Sequence, residues 1–143
     1  MNGIPMGGGE GLPFGPGRTP FEAIGGESSV RALVDAFYDQ MDDQGDAAEI
    51  RAMHPPALEQ SRDKLAWFLN GWLGGPQDYV DRFGHPRLRQ RHAPFQINGA
   101  ARDAWMMCMR KAMDDRGIEG DLRAFLDARF DHLATFMINR PDG

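Results

Sequence analysis

The chain has 143 residues, of which 41% are hydrophobic and 26% charged, and a formal net charge of -5. That length predicts one domain with room for a substantial core. The acidic balance excludes a non-specific nucleic-acid binder, which must neutralise phosphates with Lys and Arg. The one basic cluster, Arg87, Arg89 and Arg91, is too short for a DNA footprint. Cys108 is the only cysteine, so no internal disulfide can form and a reducing compartment fits. No apolar run approaches the ~20 residues of a membrane span, and the N-terminus lacks an apolar signal core. A cytoplasmic protein with no membrane segment is expected.

Residues 1–19 are rich in Gly and Pro, carry no helical or strand period, and read as a flexible extension to a domain over 20–143. From Pro20 the pattern is helical. Phe21, Ala23 and Ile24 make a short first turn that Gly25-Gly26 stops. Glu27-Ser28-Ser29 supplies a cap, and Val30, Leu33, Val34, Phe37 and Met41 follow at helical spacing to about Gly45. A second segment, about Ala48 to Met53, runs into His54-Pro55-Pro56, where the prolines redirect it. A third helix is expected from about Ala57 to Leu73, with Leu58, Leu65, Phe68, Leu69 and Trp72 as one stripe, ended by Gly74-Gly75-Pro76. Residues 76–87 carry only a brief helical pattern around Tyr79, Val80 and Phe83. Leu88 to His92 forms a short turn closed by Ala93-Pro94. Asn98 then caps a long helix to about Asp115, with Ala101, Trp105, Cys108, Met109 and Ala112 on one face. Gly117 and Gly120 break it, and a last helix runs from about Asp121 to Asn139. No alternating run is long enough for a sheet, so the fold class is all-α, with helices crossing around a buried core.

Four residues stand out for chemistry, each with a plain structural alternative. His92 sits on a short basic helix ended by a proline; an isolated His in such a place is more often a surface or hydrogen-bonded residue. Trp105 on an apolar helix face is ordinarily core. Tyr38, mid-helix, is commonly a hydrogen-bonded residue at the core edge. His54 at a helix junction can simply face solvent, or titrate near neutral pH. His85, between Gly84 and Pro86, reads as structural, and His132 as solvent-facing. Cys108 reads as a small buried hydrophobe. No Cys or His pair has zinc-ligand spacing, and no nucleophile elbow, phosphate loop or dinucleotide fingerprint is present.

What raises these residues above their plain readings is the string that holds them. Gly84-His85-Pro86-Arg87-Leu88-Arg89-Gln90-Arg91-His92-Ala93-Pro94-Phe95-Gln96-Ile97, with Gly74-Gly75-Pro76 before it and Arg102-Asp103-Ala104-Trp105 after it, resembles the truncated haemoglobins of group II. The resemblance runs from about Pro20 to Arg140. It implies a globin-like two-over-two α-helical sandwich around a haem b (iron protoporphyrin IX), with a shortened first helix and much of the proximal helix replaced by loop. In that family the last His of the block is the iron ligand, which makes His92 the metal ligand here. Trp105 and Tyr38 match donors to the bound ligand, and His54 matches a third distal position that is Tyr, Phe or His among relatives. Ser61 falls where many globins have a distal His, leaving the mouth open. Leu65, Phe68 and Leu69 would wall the pocket, with Phe37, Phe95, Ile97 and Met109 as further lining. Lys64 and Arg91 are candidates for the haem propionates, because each lies beside a pocket residue and can lay its stem on apolar surface.

The function that the resemblance implies is reversible binding of O2, and of NO and CO, at pentacoordinate iron, for storage, transport or sensing. A polar distal cage slows O2 escape, which suits a carrier poorly. The alternative is therefore a redox enzyme on the same haem, a nitric oxide dioxygenase or a peroxidase-like catalyst, drawing electrons from a separate donor or reductase. A haem-free helical interaction protein would require the His92 block to be coincidence. Monomer and homodimer both stay open.

Overall fold

Helix α1 (Pro20–Ile24) begins on a reciprocal cap. The Thr19 hydroxyl accepts from the Glu22 N–H at 3.1 Å, and the Glu22 carboxylate accepts from the Thr19 N–H at 3.1 Å. The computed structural model describes residues 18–140. The expected N-terminal extension therefore lies outside the described residues except for Arg18 and Thr19, and Thr19 belongs to the helix cap.

Helix α1 lands on the far end of α4 (Glu59–Trp72), with the Phe21 N–H donating to the Leu73 carbonyl at 2.9 Å. Gly74-Gly75 thus does more than stop a helix. Gly74 turns the chain at a φ of 97°, a left-handed conformation that favours glycine. A Cβ on Gly75 would stand 2.6 Å from the Phe21 ring. The glycine pair is the seat that lets the first short helix approach.

Helix α2 (Glu27–Asp43) buries Val30, Leu33, Val34, Phe37 and Met41 along one face. A single 3-10 turn, Gly45–Ala47, leads into α3 (Ala48–Ala52). Pro55 and Pro56 then turn the chain, and the Arg51 guanidinium holds their carbonyls at 3.0 and 2.8 Å. After α4 come two short helices, α5 (Asp78–Phe83) and α6 (Leu88–His92), then α7 (Gly99–Asp115) and α8 (Gly120–Phe136). No strand occurs among the described residues. The cap expected of Asn98 is present, its side chain accepting from the Ala101 N–H at 2.9 Å.

The long helices pack as two pairs, α2 on α4 and α7 on α8, joined through a broad α2–α7 contact. This is the two-over-two arrangement. Its centre holds Leu33, Phe37, Leu69, Leu126 and Phe130, with four methionines, Met41, Met106, Met109 and Met113, filling the irregular spaces between α2 and α7. Full burial of each such side chain stabilises the fold by roughly 1.5–3 kcal/mol. Cys108 is fully buried here, as expected, and burial pushes its thiol up to about 11. At the α2–α4 edge Arg62 reaches Asp35 at 3.1 Å and Asp39 at 2.8 Å. Such half-exposed pairs contribute only about 0–1 kcal/mol each.

The sequence pattern runs α8 to about Asn139, whereas the helix ends at Phe136. The reason is local competition for Asn139, whose N–H donates to the Ile97 carbonyl at 2.8 Å instead of continuing the helix. Helix α6, in turn, packs extensively against no other helix.

Candidate functional site

Helix α6 carries the candidate metal ligand, His92. It starts at Arg87, a non-glycine residue at φ 48°. The Arg87 N–H donates to His85 Nδ1 at 3.0 Å, so His85 shapes the entry to α6. His92 is the last residue of α6 and is half-buried. Its Nδ1 lies 2.7 Å from the Leu88 carbonyl oxygen. A carbonyl can only accept, so Nδ1 carries a proton, and in the neutral ring Nε2 is then the nitrogen with the lone pair. That is the state a metal-bound neutral imidazole needs, with its orientation set by a backbone acceptor. The Phe95 ring centre lies 6.4 Å from that of His92, and Phe95 itself stays largely at the surface. Ile97 is half-buried, with both its backbone polar groups bonded to residues just past α8.

Further candidate residues come from α2, the α3 junction and α7. Trp105 is half-buried with its ring 5.1 Å from Phe37 and 5.8 Å from Phe130. Among the described residues nothing accepts from its indole N–H. Tyr38 is buried, edge-on to Phe37 at 5.0 Å and to His54 at 5.7 Å. Among the described residues its hydroxyl has no hydrogen-bond partner either. Burial pushes the Tyr38 phenol up to about 12, against the opposing charge of Arg62, so it remains a donor.

His54 donates from Nδ1 to the Ile50 carbonyl at 2.8 Å, one helical turn back, in the same way that His92 does to Leu88. Burial lowers its pKa; the Ile50 hydrogen bond works against that, and the charges of Arg51 and His92 add to the lowering. The ring is therefore neutral near pH 7, presenting an acceptor at Nε2.

The rim is built on α5. Lys64 Nζ stands 5.6 Å from the Phe83 ring, and the Arg91 guanidinium 5.7 Å from the Tyr79 ring. The two rings are themselves 4.8 Å apart. Two cations far apart in sequence thus flank one aromatic pair, both exposed at their charged ends. Tyr79 and Phe83 were visible in the sequence only as a brief helical pattern. Phe68 links this rim to the interior, 6.3 Å from Tyr79 and 6.2 Å from Trp72. Leu65 packs partly buried on the core beside it, whereas Leu69, Phe37 and Met109 lie wholly inside. Ser61 is half-buried, with no hydrogen-bond partner among the described residues. His132 is exposed, as expected. The site residue that sequence reasoning missed altogether is Asn139; nothing in a helical period marks it.

Among the described residues no cluster of three His, Cys, Asp or Glu side chains could hold a metal ion. One oriented imidazole cannot retain a bare ion. It can supply the axial ligand to a metal that arrives with its equatorial ligands already in place, as in a haem. Elsewhere the chain offers apolar ring faces, two uncommitted donors on Trp105 and Tyr38, and two exposed cations on Lys64 and Arg91. No helix among the described residues is long and apolar enough to cross a membrane.

Comparison with known proteins agrees with the helical fold. Residues 19–139 match the family model described as bacterial-like globin. The chain is 40% identical over 123 residues to the group 2 truncated hemoglobin YjbI of Bacillus subtilis (strain 168), covering 86% of this chain and 90% of that one. Among solved structures it is similar to the group II truncated hemoglobin from Bacillus anthracis, with a TM-score of 0.82, 42% identity and coverage of 87% and 94%. It is also similar to a truncated oxygen-avid haemoglobin from Bacillus subtilis, with a TM-score of 0.79, 40% identity and coverage of 85% and 100%.

Proposed function

Because the chain is a group II truncated haemoglobin of the bacterial-like globin family, we propose that it would hold haem b through His92 and bind O2, and likewise NO and CO, reversibly. When bound, the haem supplies an iron atom that takes a diatomic ligand and exchanges single electrons. The rest is the work of the chain. Leu88 holds the His92 ring so that Nε2 is the free nitrogen. Leu65, Phe68, Phe95 and Ile97 offer apolar surface, backed by the fully buried Phe37, Leu69 and Met109, and Lys64 and Arg91 offer positive charge for the propionates.

The observation that carries the reading is the pair of uncommitted donors, the Trp105 N–H and the Tyr38 O–H, on aromatic side chains that both pack on Phe37. Neither donor has an acceptor among the described residues, so both are free to hold a ligand carrying partial negative charge. Slow O2 release follows, in keeping with the relative described as oxygen-avid. His54 donates to the same ligand only when protonated, because its neutral form keeps its proton on the Ile50 side.

The same pair of donors favours a second reading. Slow release suits chemistry on the ligand, the conversion of nitric oxide to nitrate or the reduction of peroxide, better than delivery. That role needs an external electron donor, and Ser61 in place of a bulky side chain would leave the mouth open to a second reactant.

Stopped-flow measurement of the O2 dissociation rate tests the assignment. Trp105→Phe removes one donor at nearly constant volume and should speed release by roughly tenfold, the equivalent of ~1.4 kcal/mol. An unchanged rate in both Trp105→Phe and Tyr38→Phe would overturn the donor roles. Rapid turnover of NO or peroxide with slow O2 release would favour the enzyme; fast release without turnover would favour the carrier.

A further inference from the structure

Asn139 lies past the end of α8, and both polar atoms of its side chain bond to the segment that carries His92, with the Arg140 guanidinium also reaching its Oδ1 at 3.4 Å. Its Oδ1 accepts from the Ile97 N–H at 2.9 Å, and its Nδ2 donates to the His92 carbonyl at 3.2 Å. Its own N–H donates to the Ile97 carbonyl at 2.8 Å, and the Arg140 N–H reaches the same oxygen at 3.1 Å. One half-buried side chain thereby bridges both ends of the 92–97 segment. Between those ends Ala93, Pro94, Phe95 and Gln96 are exposed, and α6 packs extensively on no other helix. A second contact falls on the same end of α8, with Arg89 standing 5.3 Å from the Phe136 ring.

We propose that Asn139 is a positioning residue for the iron ligand, a latch between the end of α8 and the His92 segment that sets where Nε2 points. The inference rests on the reading of His92 as the haem ligand. The imidazole is held at one end of the residue and the backbone at the other: Nδ1 by the Leu88 carbonyl, the His92 carbonyl by Asn139. With the first tie alone, α6 and the loop after it move as a unit and carry the ring with them. With both, the ligand is referred to α8, and through it to the α7–α8 pair that also bears Trp105. The latch therefore governs the strength and direction of the bond to iron, and with them how long haem stays bound.

The test uses the full-length protein loaded with haem. Asn139→Asp retains the acceptor for the Ile97 N–H but turns a carboxylate oxygen toward the His92 carbonyl; Asn139→Ala removes both bonds. Haem transfer to an excess of apomyoglobin should quicken by roughly three- to tenfold in each variant, the range expected for a lost hydrogen bond. The Fe–His stretching band of the ferrous protein should shift or broaden, while the C–O stretch of the CO complex, which reads Trp105 and Tyr38, stays in place. Unmoved Fe–His bands and haem-loss rates would overturn the inference, as would a C–O stretch that moves as far as the Fe–His band, since that means general loosening. Should Asn139→Ala fail to fold, Asn139→Asp and amide exchange of wild-type Ile97 decide: a protected Ile97 amide is expected, and an unprotected one contradicts the latch. A wild-type protein without a histidine-ligated iron band would overturn the His92 assignment and this inference with it.

Discussion

His92 and Leu88 are joined across one helical turn, the imidazole Nδ1–H donating to the carbonyl at 2.7 Å. His54 and Ile50 repeat the relationship at 2.8 Å. Both rings should therefore be Nδ1–H tautomers in the haem-free protein at neutral pH. Long-range 15N–1H correlation spectra distinguish the tautomers directly. An Nε2–H form of His92 would mean that its Nε2 is not free to bind iron.

Burial shifts both Tyr38 and His54 toward their neutral forms, and the consequences for stability have opposite signs. For Tyr38 the folded pKa is raised to about 12 from 10.0, so the unfolded chain loses its proton first. Stability should fall as pH rises above about 10, and Tyr38→Phe should flatten that limb. For His54 the folded pKa is lowered from 6.5, so the unfolded chain gains a proton first. Stability should fall as pH drops through that range, less steeply in His54→Gln. Urea titrations of the haem-free chain across pH measure both slopes; identical slopes in wild type and variants would contradict the burial of these groups.

Gly75 meets the Phe21 ring where a Cβ would stand only 2.6 Å away. Gly75→Ala should destabilise the fold by about 1–3 kcal/mol through overpacking. In a Phe21→Ala background the same change should cost clearly less, because the obstructing ring is gone. Additive effects in the double-mutant cycle would mean that α1 does not seat on the end of α4.

Much of the fold was legible because helices announce themselves locally. The apolar stripe of α2, the Asn98 cap of α7 and the glycine stops each depend on residues within a few positions of one another. The core followed, since a stripe must be buried against something. What stayed illegible depends on pairs distant in sequence. Asn139 bonds to Ile97 and His92, and no spacing rule connects a polar residue past one helix with a loop before another. Lys64 and Arg91 could be named as rim cations from their neighbours, but the Tyr79–Phe83 pair between them emerged only from the packing of α5 on α4. Gly75 read as a stop signal because its second task, admitting Phe21, involves a residue far back in the chain. The candidate iron ligand stood out for a different reason: a long unbroken string around His92 resembled a known family, which helical periodicity alone would not have supplied.

His92 is the proposed link between chain and iron, and a cavity-rescue spectrum tests that link most directly. His92→Gly should lose the ferrous five-coordinate histidine-ligated Soret spectrum of the wild type and retain haem weakly. Added imidazole should restore that spectrum by entering the space the side chain left. A His92→Gly protein whose spectrum matches the wild type without imidazole would show that another residue holds the iron, and would contradict the proposed link.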